Sequence, residues 1–388
     1  MTATVAVIGA GAFGGWTALE LRRRGVDVTL IDAWGPGNVR ASSGGETRVI
    51  RATYGTRSIY SRMTMRALER WRAYDAGARS GLLRETGVLW MFGSDAGFGR
   101  TSADAMHALG IPLEPLTPSD AARRFPQIAF DDTIRSILWE PRAGYLFARR
   151  ACADVVARFI AEGGEYREAA VRSPLRIASG PLREVDLEGG GTIAADAFVF
   201  ACGPWLGRLF PDAVGSRVTA TRQEVYYFGT PAGDARFHDP EMPVWIDCGE
   251  RVLYGIPGNA HRGFKIADDT SGPEMDPTWS ARDATPSGID AARAFLARRF
   301  PQLADAPLVG SEVCQYEATP DSHLIVDRHP AAANVWIAGG GSGHGFKMGP
   351  VIGELLASCV LDGASPDPQF GLDRFRATPA GGWAAKWS

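Results

Sequence analysis

Two glycine-rich runs at opposite ends of the chain hold the residues whose types and spacing could do chemistry. Near the N-terminus, GAGAFG places Gly9, Gly11, Phe13 and Gly14 between an apolar run and a helical pattern, and Asp32 closes a second apolar run. Gly9 permits a tight turn, Gly11 lets backbone approach a pyrophosphate, and Gly14 lets the helix pack close to a sheet. The helix start then offers N–H groups to phosphate oxygens. Asp32 is placed to accept hydrogen bonds from ribose hydroxyls. With its flanking strands, helix and acid the motif is a strong dinucleotide signature, although it does not separate FAD from NAD. Towards the other end, CQYEATPDSHLIVD sets Cys314 two residues before Tyr316. GGGSGHGFKMGP then carries Gly341, Gly343, His344 and Gly345 to Lys347 and opens a helix.

Further candidates lie between these runs. ASSGGETRVIRATYG contains Ser43, Thr47, Arg48 and Arg51; from spacing alone the two arginines read as solvated surface or salt-bridging groups. Lys265, flanked by Phe264 and Ile266, reads by spacing as a lysine on the solvent face of a strand. DAFVFACGPW is a buried strand running into a small turn at Gly203, where a cofactor could lie against backbone.

These groups need a scaffold. The chain has 388 residues, enough for a large core and two domains; hydrophobic residues make up 45% and charged residues 22%, as in ordinary globular proteins. A net charge of −3 argues against a nucleic-acid or membrane-surface binder. Five scattered cysteines make a disulfide framework improbable, no zinc-type His/Cys spacing occurs, and no apolar run is long enough to span a bilayer. The expected compartment is the cytoplasm, with no metal. A helix is expected near residues 59–74, a strand at 85–93, and two helices capped by Ser102 and Ser119. Antiparallel strands should fill 219–268, a helix 287–300, and a loose tail the residues after Asp362. The fold class is α/β (α+β): a Rossmann-like cofactor domain formed by 1–80, 140–215 and 318–388, with a discontinuous antiparallel-sheet substrate domain formed by 81–139 and 216–317.

In combination and order, GAGAFG, SGGETRVIR, TGVLWMFG, LYGIPG with a later lysine, CQYEATPD and GGGSGHGFKMGP resemble the flavoprotein amine oxidases of the D-amino-acid oxidase superfamily, near the sarcosine and N-methyltryptophan oxidases. The resemblance covers nearly the whole chain. It implies FAD, joined covalently through the Cys314 sulfur, with Arg51 and Lys347 gripping a substrate carboxylate. Lys265 would activate oxygen, Tyr254 and Tyr316 would line the substrate cavity, and Arg48 would lie close to the flavin ring. The loop from Gly341 to Lys347 would face the flavin's pyrimidine end. The implied reaction oxidises the C–N bond of a secondary amine or amino acid to an imine and reduces oxygen to hydrogen peroxide. A dehydrogenase with another acceptor and a non-enzymatic FAD-binding protein are the alternatives. Three positions depart from the sarcosine-oxidase pattern: Gly44 and Asp269 replace histidines, and Trp245 replaces a methionine. Trp245 and Asp269 are therefore expected to reshape the volume and charge of the substrate cavity.

Overall fold

The computed structural model describes residues 3–93 and 97–376. Its first unit is the strand Thr4–Ile8, the helix Ala12–Arg23 and the strand Asp27–Asp32. Thr4–Ile8 pairs in parallel with Asp27–Asp32 on one side and Ala197–Phe200 on the other. Glu165–Glu168 extends the sheet beyond Asp27–Asp32; Ala332–Gly339 and the antiparallel Ile325–His329 complete six strands. Val5, Ala6 and Val7 are all buried, so this strand reads as a continuous apolar run, as expected for a sheet covered on both faces.

Close approach explains the N-terminal glycines. Gly9 has φ +104, and a Cβ there would stand 2.3 Å from the Ala201 carbonyl oxygen. A Cβ on Gly14 would stand 1.8 Å from the Gly9 carbonyl oxygen. The helix Gly349–Leu361 packs on the other side of Ala12–Arg23, where a Gly353 Cβ would meet the Trp16 backbone at 2.8 Å. The C-terminal glycine run is thereby brought to the N-terminal one.

A second sheet has eight strands in the order Leu308–Ala318, Thr219–Phe228, Phe264–Asp268, Val252–Ile256, Val244–Cys248, Val88–Phe92, Ser136–Glu140 and Glu114–Leu116. The pairings are antiparallel except for Val244–Cys248 with Val88–Phe92, which are parallel. One face carries Trp245, Phe264 and Ile266 against Phe295, Leu296 and Phe300, residues of or beside the helix Pro286–Arg299. The opposite face presents Trp90, Val244, Ile246 and Ile256 to the interior shared with the first sheet. A small sheet of Thr47–Ile50, Gly144–Phe147 and Leu83–Arg84 bridges the two.

The expected mixed α/β architecture is the observed one, with local corrections. Ser102 lies inside the helix Gly97–Ala108 and accepts from the Gly55 amide at 2.9 Å instead of capping. Thr117, not Ser119, caps Pro118–Arg124, its hydroxyl accepting from the Asp120 amide at 3.1 Å. The tail is ordered through Arg376, in short turns that bury Phe370 and Phe375; the remainder of the expected loose tail lies outside the described residues.

Gly14→Ala should lower stability by about 1–3 kcal/mol, because backbone must part to admit the methyl group. Urea unfolding and flavin content measured together check this; an unchanged midpoint with full flavin loading would contradict the close approach.

Candidate active site

A cleft of about 530 Å³ opens where the helix Ala12–Arg23 begins. Gly9, Gly11, Phe13, Asp32, Ser43, Arg48, Gly203, Gly341, Gly343 and Gly345 all line it. The helix starts at Gly11 without a side-chain cap from that residue, leaving the first turn turned to the cleft. Asp32 fastens the loop: its carboxylate accepts from the Ala10 amide at 2.7 Å and the Trp34 amide at 2.9 Å. Burial pushes the Asp32 carboxyl up, and these amides oppose the shift. Ser43 accepts from the Ala12 amide at 3.1 Å, closing the loop from the other side. A cleft of this size, a glycine turn that a Cβ would block and a helix start whose first turn faces the cleft fit a dinucleotide with a pyrophosphate at its middle.

A smaller cavity of about 50 Å³ adjoins the cleft. Arg48, Tyr316, Gly343 and Phe346 line both. Arg51, Tyr254, Asp269, His344 and Lys347 line the small cavity, with Val49, Ile246 and Val252 as its apolar wall. Arg51 and Lys347 meet over one ring: the guanidinium carbon is 4.4 Å and the ammonium 5.4 Å from the Tyr54 centroid. The Lys347 Nζ donates to the His344 carbonyl at 2.8 Å. Both cations are buried, so the reading of Arg51 as solvated surface does not hold. Two fixed cations of different shape suit a carboxylate. The phenol of Tyr316 donates to Asp269 at 2.7 Å. Burial, then the neighbouring Asp269, raises the Tyr316 phenol well above its ordinary range.

Behind Arg48 lie Thr47, Cys314 and Lys265, which line neither cavity. The Arg48 guanidinium donates to the carbonyls of Ser42 at 2.8 Å and Thr47 at 2.9 Å, and to the Cys314 sulfur at 2.8 Å. Lys265 donates to the same Thr47 carbonyl at 3.0 Å, and its Nζ stands 5.6 Å from the Tyr254 centroid. It is buried rather than solvent-facing. Burial, reinforced by Arg48, lowers its pKa to about 7.

Trp245 is not with them. It is wholly buried on the far face of the eight-stranded sheet, stacked near Phe264 and Phe295, and the next residue, Ile246, faces the cavity. Strand alternation makes the two residues alternatives, and the register decided for Ile246.

Two buried carboxyls complete the site and carry no sequence signal. Glu140 accepts from the Thr53 hydroxyl at 2.6 Å, the Trp90 indole at 3.2 Å and the Ala52 amide, holding the segment that presents Arg51. Burial raises the Glu140 carboxyl. Glu317 lines the cleft, one residue beyond Tyr316. Only the SILWE and CQYEATPD strands, read with their partners in register, could have pointed to either.

The folded Lys265 amine has a lower pKa than the unfolded one, so between about pH 7 and 10.5 the unfolded chain binds the extra proton. Stability therefore rises with pH across that window, by up to about 1.4 kcal/mol per pH unit, and the burial cost is full below pH 7. In flavin-free protein, the unfolding free energy relative to Lys265→Met should climb from pH 7 to 10; a flat difference would show that Lys265 keeps an ordinary amine.

The family model for FAD dependent oxidoreductases (DAO) matches residues 4–359. Monomeric sarcosine oxidase from Bacillus sp. (strain B-0618) is 29% identical over 369 residues, with 92% of each chain covered. N-methyl-L-tryptophan oxidase from Yersinia pestis (strain Pestoides F) is 26% identical over 379 residues, covering 95% of this chain and 98% of that one. Among solved structures, L-proline dehydrogenase from P. horikoshii superposes with a TM-score of 0.83 at 22% identity, covering 97% and 98% of the two chains, a likeness of fold. With the glycine cradle, the cleft and a match over nearly its whole length, the chain belongs to the DAO family of FAD dependent oxidoreductases.

Proposed function

We propose that this protein oxidises the C–N bond of a secondary amine or amino acid bearing a carboxylate, giving an imine that hydrolyses in water, with molecular oxygen as the acceptor and hydrogen peroxide as the second product. The observation that carries the reading is the pair of buried cations, Arg51 and Lys347, in a cavity that shares Arg48 and Tyr316 with the cofactor cleft. A carboxylate held there sets its neighbouring carbon and nitrogen towards the shared wall. Bound FAD supplies the two-electron acceptor for the C–H bond beside nitrogen.

The remaining work falls to side chains. Arg51 offers a planar fork and Lys347 a point charge to the carboxylate. Tyr254 and Tyr316 bound the space on the side of the eight-stranded sheet. Asp269 balances the cations and pairs with the amine, which must lose a proton before the C–H bond breaks. Lys265 and Arg48 keep positive potential at the junction, stabilising negative charge that develops on oxygen in a dry, low-dielectric setting. Cys314, whose sulfur accepts a hydrogen bond from Arg48, is the attachment point for covalent flavin. Among the described residues no helix is long and apolar enough to cross a membrane.

A screen of N-methyl, cyclic and basic amino acids for peroxide, with flavin bleaching followed anaerobically, tests this. Arg51→Ala should raise KM about 10- to 100-fold for carboxylate substrates, the loss of one charged hydrogen bond. Lys265→Met should slow reaction with oxygen while leaving anaerobic reduction nearly intact. Dye reduction without peroxide would replace the oxidase reading by a dehydrogenase, and flavin that leaves the acid-precipitated protein would remove Cys314 as attachment point.

A further inference from the structure

Glu317 is a buried carboxyl, 9% exposed, that faces the cofactor cleft. Three separate segments close on it. Its Oε1 accepts from the Gly341 amide at 3.1 Å, and its Oε2 accepts from the Ser42 hydroxyl at 3.3 Å. A Cβ on Gly203 would stand 2.5 Å from Oε2, and one on Gly341 would stand 2.9 Å from Oε1. The glycines of two cofactor-facing turns are thus shaped around this carboxyl. Both of its partners are neutral, and no Lys, Arg or His among the described residues is paired with it.

A carboxylate in that place would be doubly disfavoured. It would be desolvated without a cation, and it would share a cleft with the pyrophosphate of the family's cofactor. We infer that Glu317 is a cofactor-positioning residue that meets bound FAD as the neutral acid, so that FAD binding takes up a proton and weakens as the carboxyl ionises. A protonated carboxyl has one hydrogen to donate to the cofactor while its other oxygen keeps the amide of Gly341. Burial already raises this carboxyl to about 7.

The charged and titratable groups around it do not cancel the effect. Cys202, beside the Gly203 turn, has its thiol pushed up by burial and stays neutral. Asp32 lines the same cleft and adds negative potential. Arg40 and Arg48 flank the Ser42 loop, with Arg48 committed to Ser42, Thr47 and Cys314. His344, on the Gly341 loop, is engaged by Tyr54 and the Ser322 carbonyl. The strand partner opposite Glu317 is Ala220, which does not titrate.

The test is FAD binding to the full chain carrying Cys314→Ser, which prevents covalent capture, followed by flavin fluorescence from pH 5.5 to 8.5. Between pH 7 and 8.5 the dissociation constant should rise by up to about tenfold per pH unit. With Glu317→Gln added it should stay flat and near the acid-limb value. Equal slopes in the two proteins, or weak binding by a folded Glu317→Gln chain at every pH, would overturn the inference. Should that variant not fold, calorimetry of FAD binding at pH 8 in two buffers of different ionisation enthalpy decides on the Glu317 chain carrying Lys265→Met, which removes the other group near the cofactor that titrates at about 7: uptake approaching one proton supports it, and no uptake refutes it. These readouts need no substrate, so they stand or fall apart from the oxidase assay.

Discussion

The arrangement depends on the half-buried guanidinium of Arg48. It bonds the carbonyls of Ser42 and Thr47 and the sulfur of Cys314, joining the loop beyond the dinucleotide motif to the edge strand Leu308–Ala318 of the second sheet. It also lines both the cleft and the small cavity. A charge withdrawn from bulk water destabilises the fold unless acceptors meet it, and these three do so around Arg48. Placement of the thiol, of Tyr316 two residues on, and of Lys265 on the shared Thr47 carbonyl all follow from that single requirement.

Charge is distributed unevenly around this junction. Arg48, Arg51, Lys265 and Lys347 gather within the same buried region, whereas the acids stand behind or beside them: Glu140 under the segment carrying Arg51, Asp269 on Tyr316, Glu317 in the cleft. Burial acts on each in the direction that favours neutrality, lowering Lys265 and raising Glu140 and Glu317. An anionic substrate and an anionic cofactor entering such a region neutralise cations that the apoprotein buries at a cost, which is how a site is made receptive before its ligands arrive.

The N-terminal half of the cofactor site was legible because its physics is local. Gly9, Gly11, Gly14 and Asp32 lie in one continuous strand–turn–helix–strand unit; Gly9 and Gly14 answer contacts within that unit or at the end of the adjacent strand, and Gly11 one with Ser43 in the loop that follows. Periodicity also marked the long helix Ser58–Ala78 and the strands between Thr219 and Asp268, though Phe264–Asp268 is buried on both faces, which its pattern did not report. The parallel pairing of Val88–Phe92 with Val244–Cys248 was invisible, since nothing local in either strand encodes a partner about 150 residues away. The same limit misplaced Trp245: a strand pattern says that neighbours point oppositely, not which of the two faces a ligand.

What the sequence determined by itself is the dinucleotide turn and the inventory of groups that could grip a carboxylate or move electrons, because residue type and short-range spacing suffice for these. Spacing alone read Arg51 as solvated surface or a salt-bridging group and Lys265 as solvent-facing, and only the tertiary structure buried them, since burial depends on what a distant segment lays across the residue. The tertiary structure likewise decided that Ile246 and not Trp245 faces the cavity, that Arg51 and Lys347 share the Tyr54 ring, and that Glu317 looks into the cleft. Each of these is a matter of strand register and long-range closure, in which one residue of slip reverses every side chain, and no local preference records it.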